Sequence, residues 1–281
     1  MGASSVVVDG ATIEYTDEGT GPPVVFVHGA YVTGALWDDV AAVLSDRHRC
    51  IRPTWPFGAQ AKPVGVSVDL GVVASGRRIV GLLEQLSLTD VTLVANDTGG
   101  GIVLAALANT DLDWTRVSRL VFTNCDSYDH FPPSGFAPLV RLCRLSGFAG
   151  ATVLRLLTTG PGRSVFANAV TKDGIDKHRQ TGIFGGFLTS AEVRREAVRF
   201  TSDLHPRYTT AASTAITNWP KPVLLVWGDS DRLFPLSHAQ RLVDEFGDAT
   251  LHVVEGSSTY VMLDRPGETA EAIETFVEER S

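Results

Sequence analysis

The feature that most restricts this chain is a recurring unit: a short β-branched run, a cluster of small polar residues, then a helical stretch. Val24–Val27, Val91–Val94, Val117–Phe122, Val223–Trp227 and Leu251–Val254 are each four to six residues long and rich in Val, Ile and Leu. Such runs suit strands buried on both faces of a parallel sheet. Ser5–Val8 and Thr12–Tyr15 flank Asp9-Gly10, a two-residue hairpin signal. Ile102–Leu107 reads as a buried helix and Gly267–Glu279 as a closing amphipathic one. Strands alternating with helices predict an α/β fold with a mostly parallel sheet covered on both faces. Between about Tyr128 and Ser213 the pattern changes to helical stretches broken by Gly and Pro, among them Ala191–Phe200, with Thr189 and Glu192 spaced as a capping box. Seven of the 13 phenylalanines fall there, at 131, 136, 148, 166, 184, 187 and 200. They predict a small helical core, part of it roofing an apolar cavity.

At 281 residues, with 44% apolar and 20% charged side chains, the chain fits one large α/β domain with an insertion and excludes disorder, collagen and coiled coil. The net charge of −8 reads as spread along the chain, which disfavours nucleic acid and anionic membrane as partners. Cys50, Cys125 and Cys143 lie far apart without CxxC spacing, pointing to a reducing compartment, no disulfide and no zinc site. The N-terminus has no basic segment before an apolar one, and Val6 stands where a myristoylation pattern needs Ser or Thr. The longest apolar stretch, Gly99–Ala108, is about half of what spans a bilayer. The expectation is a cytoplasmic protein acting on a small molecule without metal or cofactor, and no feature sets an oligomeric state.

Ligands bind outside the carboxyl ends of parallel strands, so the polar clusters there carry the chemistry. They are His28-Gly29-Ala30-Tyr31, Asn96-Asp97-Thr98-Gly99-Gly100, Gly228-Asp229-Ser230-Asp231 and Gly256-Ser257-Ser258-Thr259-Tyr260. In this order the set resembles the α/β-hydrolase superfamily over essentially the whole chain. The resemblance implies a hydrolase-fold core at about 1–127 and 214–281 and a helical cap at 128–213. It places Asp97 at the nucleophile elbow, as in the haloalkane dehalogenase and epoxide hydrolase branch, where a carboxylate attacks carbon. No GxSxG occurs, which argues against a serine esterase. The resemblance further implies an oxyanion hole from the backbone N–H groups of Ala30 and Thr98, a structural role for His28, and Asp231 as the catalytic acid. Asn124 falls at an alternative acid site but is an amide. Tyr31, Asn124, His130, Phe131, Thr259 and Tyr260 are the candidate substrate contacts.

The sequence departs from the family where the catalytic histidine belongs: Thr259 stands there. Hydrolysing an aspartyl ester needs a base to activate water, and a threonine hydroxyl cannot serve near neutral pH. Among the seven histidines, His130 is the one expected to open the cap above the sheet's carboxyl edge, as a relocated base. The dehalogenase halide donors are also missing, since Ala30 and Thr98 hold the core positions and all five tryptophans lie outside the cap; of the tyrosine pair of epoxide hydrolases, only Tyr128 and Tyr208 are available. Three readings follow. One is a cofactor-independent enzyme with Asp97 as general base or acid on a mostly apolar, even polycyclic, substrate, catalysing elimination, isomerisation or C–C bond formation. Another is a hydrolase of the epoxide hydrolase or dehalogenase type with a relocated base. The third is a ligand-binding protein without catalysis.

Overall fold

The computed structural model describes residues 4–280; Met1 and Gly2, part of the acylation reading, lie outside them. Eight strands form one sheet: β1 (Ser4–Val8), β2 (Ala11–Glu18), β3 (Pro23–Val27), β4 (Arg49–Thr54), β5 (Val91–Asn96), β6 (Val117–Cys125), β7 (Val223–Gly228) and β8 (Ala249–Val254). Their order is β1-β2-β4-β3-β5-β6-β7-β8. β1 and β2 form an antiparallel hairpin whose turn has Asp9 and Gly10 at φ 47° and 76°. β2 runs antiparallel to β4, and all other neighbours are parallel. From β3 the chain steps outward to β4 and later returns to β5 on the other side, so β3 and β5 flank the crevice where ligands bind in such sheets.

The expected apolar runs are all strands, and β5 and β7 are buried along their whole length. β4 escapes an apolar-run reading because Arg49, Arg52 and Pro53 interrupt it. Its charges are absorbed at the antiparallel edge: Arg49 makes a two-pronged bond to Asp17 at 2.9 and 2.7 Å, and Arg52 pairs with Glu18 at 2.6 Å and with Asp38. Helices cover both faces, with Asp38–Leu44 against Pro266–Glu279 and Val72–Gln85 against Asp97–Leu107. No helix of the described residues is long and apolar enough to cross a membrane.

Between β6 and β7 the described chain is helical, in seven segments from Ala137 to Thr217. The expected capping box is displaced by one residue. Thr189 ends one helix, and Ser190 caps the next by accepting from the Val193 N–H at 3.2 Å. The polar residue that leaves helical geometry is the one whose oxygen is free to cap, and that is Ser190, at φ −113° and ψ 123°.

The helix after β5 carries three glycines, Gly99 to Gly101, after its first two residues, where neighbouring strand ends crowd it. A Cβ on Gly99 would stand 2.4 Å from the His28 carbonyl oxygen, and one on Gly100 would stand 2.4 Å from the Cys125 Cβ. The helix therefore sits deep in the groove between the loops after β3 and β6, which brings its first turn into the crevice. Gly99→Ala is expected to destabilise the fold by about 1–3 kcal/mol through overpacking, outweighing a helix-propensity gain of about 1 kcal/mol. Gly247→Ala, where a Cβ meets nothing within 4 Å, should be near neutral in the same urea titration. Equal midpoints for the two variants would contradict the crowding.

Candidate active site

Asp97 is the first residue of the helix that directly follows β5, held at φ 52°. That conformation is uncommon for a residue with a side chain and is tolerated best by Asn and Asp. It throws the carboxyl back toward the loop after β3. A Cβ on Gly29 would lie 2.0 Å from Asp97 Oδ2, so only glycine leaves room for the carboxylate there. The backbone N–H groups of Thr98 and Ala30 act on the side chain and favour its charged form. The two donors expected to form an oxyanion hole are thus together, and at rest they hold Asp97's own carboxylate. Burial pushes Asp97 up from 3.8 to about 7; the Asp231 charge adds to this, and the bonds from Thr98 and Ala30 oppose it.

Above Asp97 lies a cavity of about 30 Å³. Its polar lining is Asp97, Thr98, Tyr31 and Thr201, and the remainder is apolar, with Pro132, Phe136, Val140, Phe166, Val170 and Leu204 as its main walls. So small a space admits water but no organic substrate, and the helices over it must part for one to enter. Tyr31, at φ 63°, stacks on Phe187 at 5.1 Å, and its hydroxyl lies 2.5 Å from Thr201 Oγ1. Thr201 already donates to the Ala197 carbonyl, so the proton in the Tyr31–Thr201 bond belongs to Tyr31. Burial keeps that phenol protonated, with its pKa well above the usual value.

The other expected contacts lie behind or beside the cavity. Asp231 Oδ2 accepts from the Asn124 amide at 2.8 Å and from the Thr259 hydroxyl at 2.9 Å, and its Oδ1 accepts from the Leu233 N–H at 2.7 Å. Asn124 also spans to both backbone groups of Gly228, and Asn96 ties the Thr259 carbonyl to β6. These residues form a rigid buried frame under the cavity and are not part of its lining. Tyr260 is wholly buried, with a hydroxyl that has no hydrogen-bond partner. Phe131 is also wholly buried and packs against Gly101. Neither lines the cavity.

His130 does not enter the site. It lies on the outer side of the segment 132–145, next to Asp129 at 3.5 Å, with its ring 4.4 Å from that of His238. The backbone there turns outward, since Ser127 and His130 close a tight bridge before the chain reaches the helices. Among the described residues no imidazole bonds to Asp97 or Asp231. His28, the nearest in sequence to the site loops, accepts from the Trp55 N–H through Nε2 at 2.8 Å, so its Nδ1 carries the proton and donates to the Gly29 carbonyl at 2.8 Å. Burial lowers it from 6.5 to about 4, and it serves as a neutral pin for the loop. Sequence reasoning missed Asp126 and Thr201. Asp126 is wholly buried at the end of β6, and a carboxylate next to Cys125 gave no pattern signal. Three carboxyls, the half-buried Asp97 and the buried Asp126 and Asp231, therefore share one end of the sheet.

No described group of His, Cys, Asp and Glu could hold a metal ion. The arrangement can accept a proton at Asp97, offer one from Tyr31 and stabilise negative charge at two N–H groups. A carboxyl whose pKa is raised in the fold contributes stability below its unfolded value of 3.8 that is lost as pH rises through about 7. His28 acts oppositely, weakening the fold as pH falls from 6.5 toward 4. Asp97→Asn is expected to raise the melting temperature more at pH 8 than at pH 5, since the penalty grows between 3.8 and about 7. An equal shift at both pH values would show that Asp97 keeps an ordinary pKa.

Comparison with known proteins agrees with this fold. The model of the alpha/beta hydrolase family matches residues 24–272. Haloalkane dehalogenase 2 of Mycobacterium tuberculosis is 27% identical, with 93% of this chain and 90% of the relative covered. A cis-3-alkyl-4-alkyloxetan-2-one decarboxylase of Shewanella oneidensis is 28% identical, with 90% of this chain and 84% of the relative covered. The structure of haloalkane dehalogenase DbeA from Bradyrhizobium elkani superposes with a TM-score of 0.82 at 16% identity, covering 99% of this chain and 98% of that one, which is a likeness of fold. The sheet order, the strained turn after β5 and the family match converge, and the chain belongs to the alpha/beta hydrolase family.

Proposed function

We propose that this protein is a cofactor-independent enzyme that uses Asp97 as a general base on a mostly apolar small molecule and releases product without hydrolysis. The observation that carries this is the partner of Asp231. Its Oδ2 is occupied by the Thr259 hydroxyl and the Asn124 amide, leaving no imidazole to take a proton from water. A hydroxyl that donates to a carboxylate is held in the wrong sense to be a base. An aspartyl ester formed here would persist, whereas a proton taken by Asp97 returns to substrate or solvent without help.

The parts suit proton abstraction beside a carbonyl. Asp97, near 7, is a base matched to neutral pH. The Ala30 and Thr98 N–H groups would turn from the carboxylate to the substrate oxygen as Asp97 takes the proton and loses its charge. Tyr31 can protonate a departing or enolic oxygen. The proline, phenylalanine and aliphatic walls select an apolar skeleton, with the helical segment acting as the cap that opens and closes. Among the relatives, the Shewanella protein is named as a decarboxylase of dialkyl oxetanones, a bond-breaking reaction on an apolar substrate. A second reading, hydrolysis through an Asp97 ester, is favoured by the dehalogenase relatives and by the strained elbow.

The test uses exchange, because it does not require the natural substrate. In D₂O the protein should speed loss of the α-protons of an apolar 2-alkylcyclopentanone, followed by NMR. The rate should rise with pH and level off above about 7, since the ionised carboxylate is the active form. Asp97→Asn should lower it by ~10²-fold or more. Exchange at the same rate in both proteins would overturn the reading.

A further inference from the structure

The net charge of −8 is unevenly divided. Residues 128–213 carry 11 Lys and Arg against six Asp and Glu, whereas the rest of the chain carries 13 against 26. The helical segment is therefore cationic and sits on an acidic core. One of its helices, Gly147–Leu157, also shows solvent an apolar face. Its buried side is Gly150 and Leu154, packed against the helices Ala137–Leu145 and Ala191–Asp203, whose Val140 and Thr201 line the Asp97 cavity. On the opposite side Phe148, Thr152, Arg155 and Leu156 follow at helical spacing, with Phe148 85% and Leu156 60% exposed. Phe148 and Arg155 wall an open groove of about 850 Å³ together with Val66, itself 94% exposed, and with Arg194 and Arg195. The acidic groups of that groove are already taken. Glu192 pairs with Arg195 at 3.1 Å, and the buried Glu196 accepts from the Gln60 amide at 2.7 Å and from the Val64 and Gly65 N–H groups at 3.0 and 2.8 Å. Arg194 is held by the Phe187 and Leu188 carbonyls at 2.7 and 3.1 Å. Burial, and then the neighbouring Arg155 charge, lower its pKa, with Glu192 opposing.

We propose that this face of the cap docks on an anionic phospholipid bilayer, with Phe148, Leu156 and Val66 entering the interface and Arg155, Arg194 and Arg195 against the headgroups. Exposed apolar side chains beside arginines on one helix face are what lies in the plane of a bilayer surface. A positive segment is drawn to negative lipid. The acidic core is repelled by the same lipid and turns the molecule cap-down, so the uneven charge sets orientation where an even −8 would oppose approach. A second copy of the chain fits the face less well. Cap against cap opposes like charges, and cap against acidic core is a head-to-tail contact that does not close as a pair. Docking on lipid brings the helices that wall the Asp97 cavity next to the phase in which an apolar substrate dissolves. That use rests on the apolar substrate proposed above, whereas the docking itself does not.

The test measures binding and needs no turnover. The full chain is sedimented with sucrose-loaded vesicles of phosphatidylcholine, alone or mixed with phosphatidylserine, at low and at high salt. Binding should require phosphatidylserine and should fall at high salt. Arg155→Glu, which replaces a positive charge at the headgroups by a negative one, should weaken it by ~10-fold or more. Phe148→Ser should weaken it by ~5-fold through the lost apolar insertion. Both side chains are exposed, so both variants should keep the melting temperature of the parent. Arg47→Glu makes the same change of charge on the core, where Arg47 lies exposed beside Glu274 and Glu278, and should leave binding within about twofold. No binding to the phosphatidylserine vesicles would overturn the proposal. So would equal losses in Arg47→Glu and Arg155→Glu, or insensitivity to Phe148→Ser, since either would leave only a diffuse attraction of charge. Self-association in sedimentation velocity that Phe148→Ser abolishes would give the face to a second copy and would overturn it as well.

Discussion

Everything distinctive in this site follows from one constraint: a half-buried, largely desolvated carboxylate at a left-handed turn, with the backbone N–H groups of Ala30 and Thr98 beside it. The turn is made possible by the glycines at 29, 99 and 100, each placed where a Cβ would strike a backbone oxygen or a side chain less than 3 Å away. Desolvation then sets the chemistry. In water Asp97 would be a weak base, fully ionised and well solvated; here the same group holds a proton until near neutrality and is correspondingly better at taking one.

Beneath Asp97 lies a polar frame that sets what the carboxylate can do next. Asp231, Asn124, Thr259 and Asn96 satisfy one another and fasten the loop after β8 to β6 and β7. With a histidine at 259, Asp231 would orient an imidazole toward the elbow. With threonine there, the acid is consumed by the frame, which becomes scaffold. Burial alone raises a carboxyl in many structures, so the chemical reading depends on the combination: a reactive carboxylate at the cavity and a frame that offers no base for water.

Much of this was legible in the chain because the signals were local. Val91–Val94 running into Asn96-Asp97-Thr98-Gly99-Gly100-Gly101 states strand, turn and tightly packed helix in eleven residues, and Thr259 can be read directly against Asp231. What escaped depended on the third dimension. β4 is held by ion pairs to β2 and to Asp38 that no local pattern reveals. His130 follows β6 closely, yet a tight bridge back to Ser127 turns it outward. Tyr260 and Phe131 follow candidate site residues in sequence and are buried in the core instead. Asp126 looked like one acid among 32 in the chain, and only its burial marks it. A side chain's neighbours across the sheet decide its role, and one sequence does not state them.

The most direct measurement asks whether solvent oxygen ever reaches Asp97. The protein would be mixed in ¹⁸O-water with a 1-bromoalkane, an alkyl epoxide and a dialkyl β-lactone in turn, and the peptide containing Asp97 weighed by mass spectrometry over successive turnovers. A base that only moves protons leaves that peptide at its starting mass, with neither label nor alkyl adduct. ¹⁸O appearing in Asp97 at the rate of product formation would show that water cleaves an ester there, and would contradict a non-hydrolytic site.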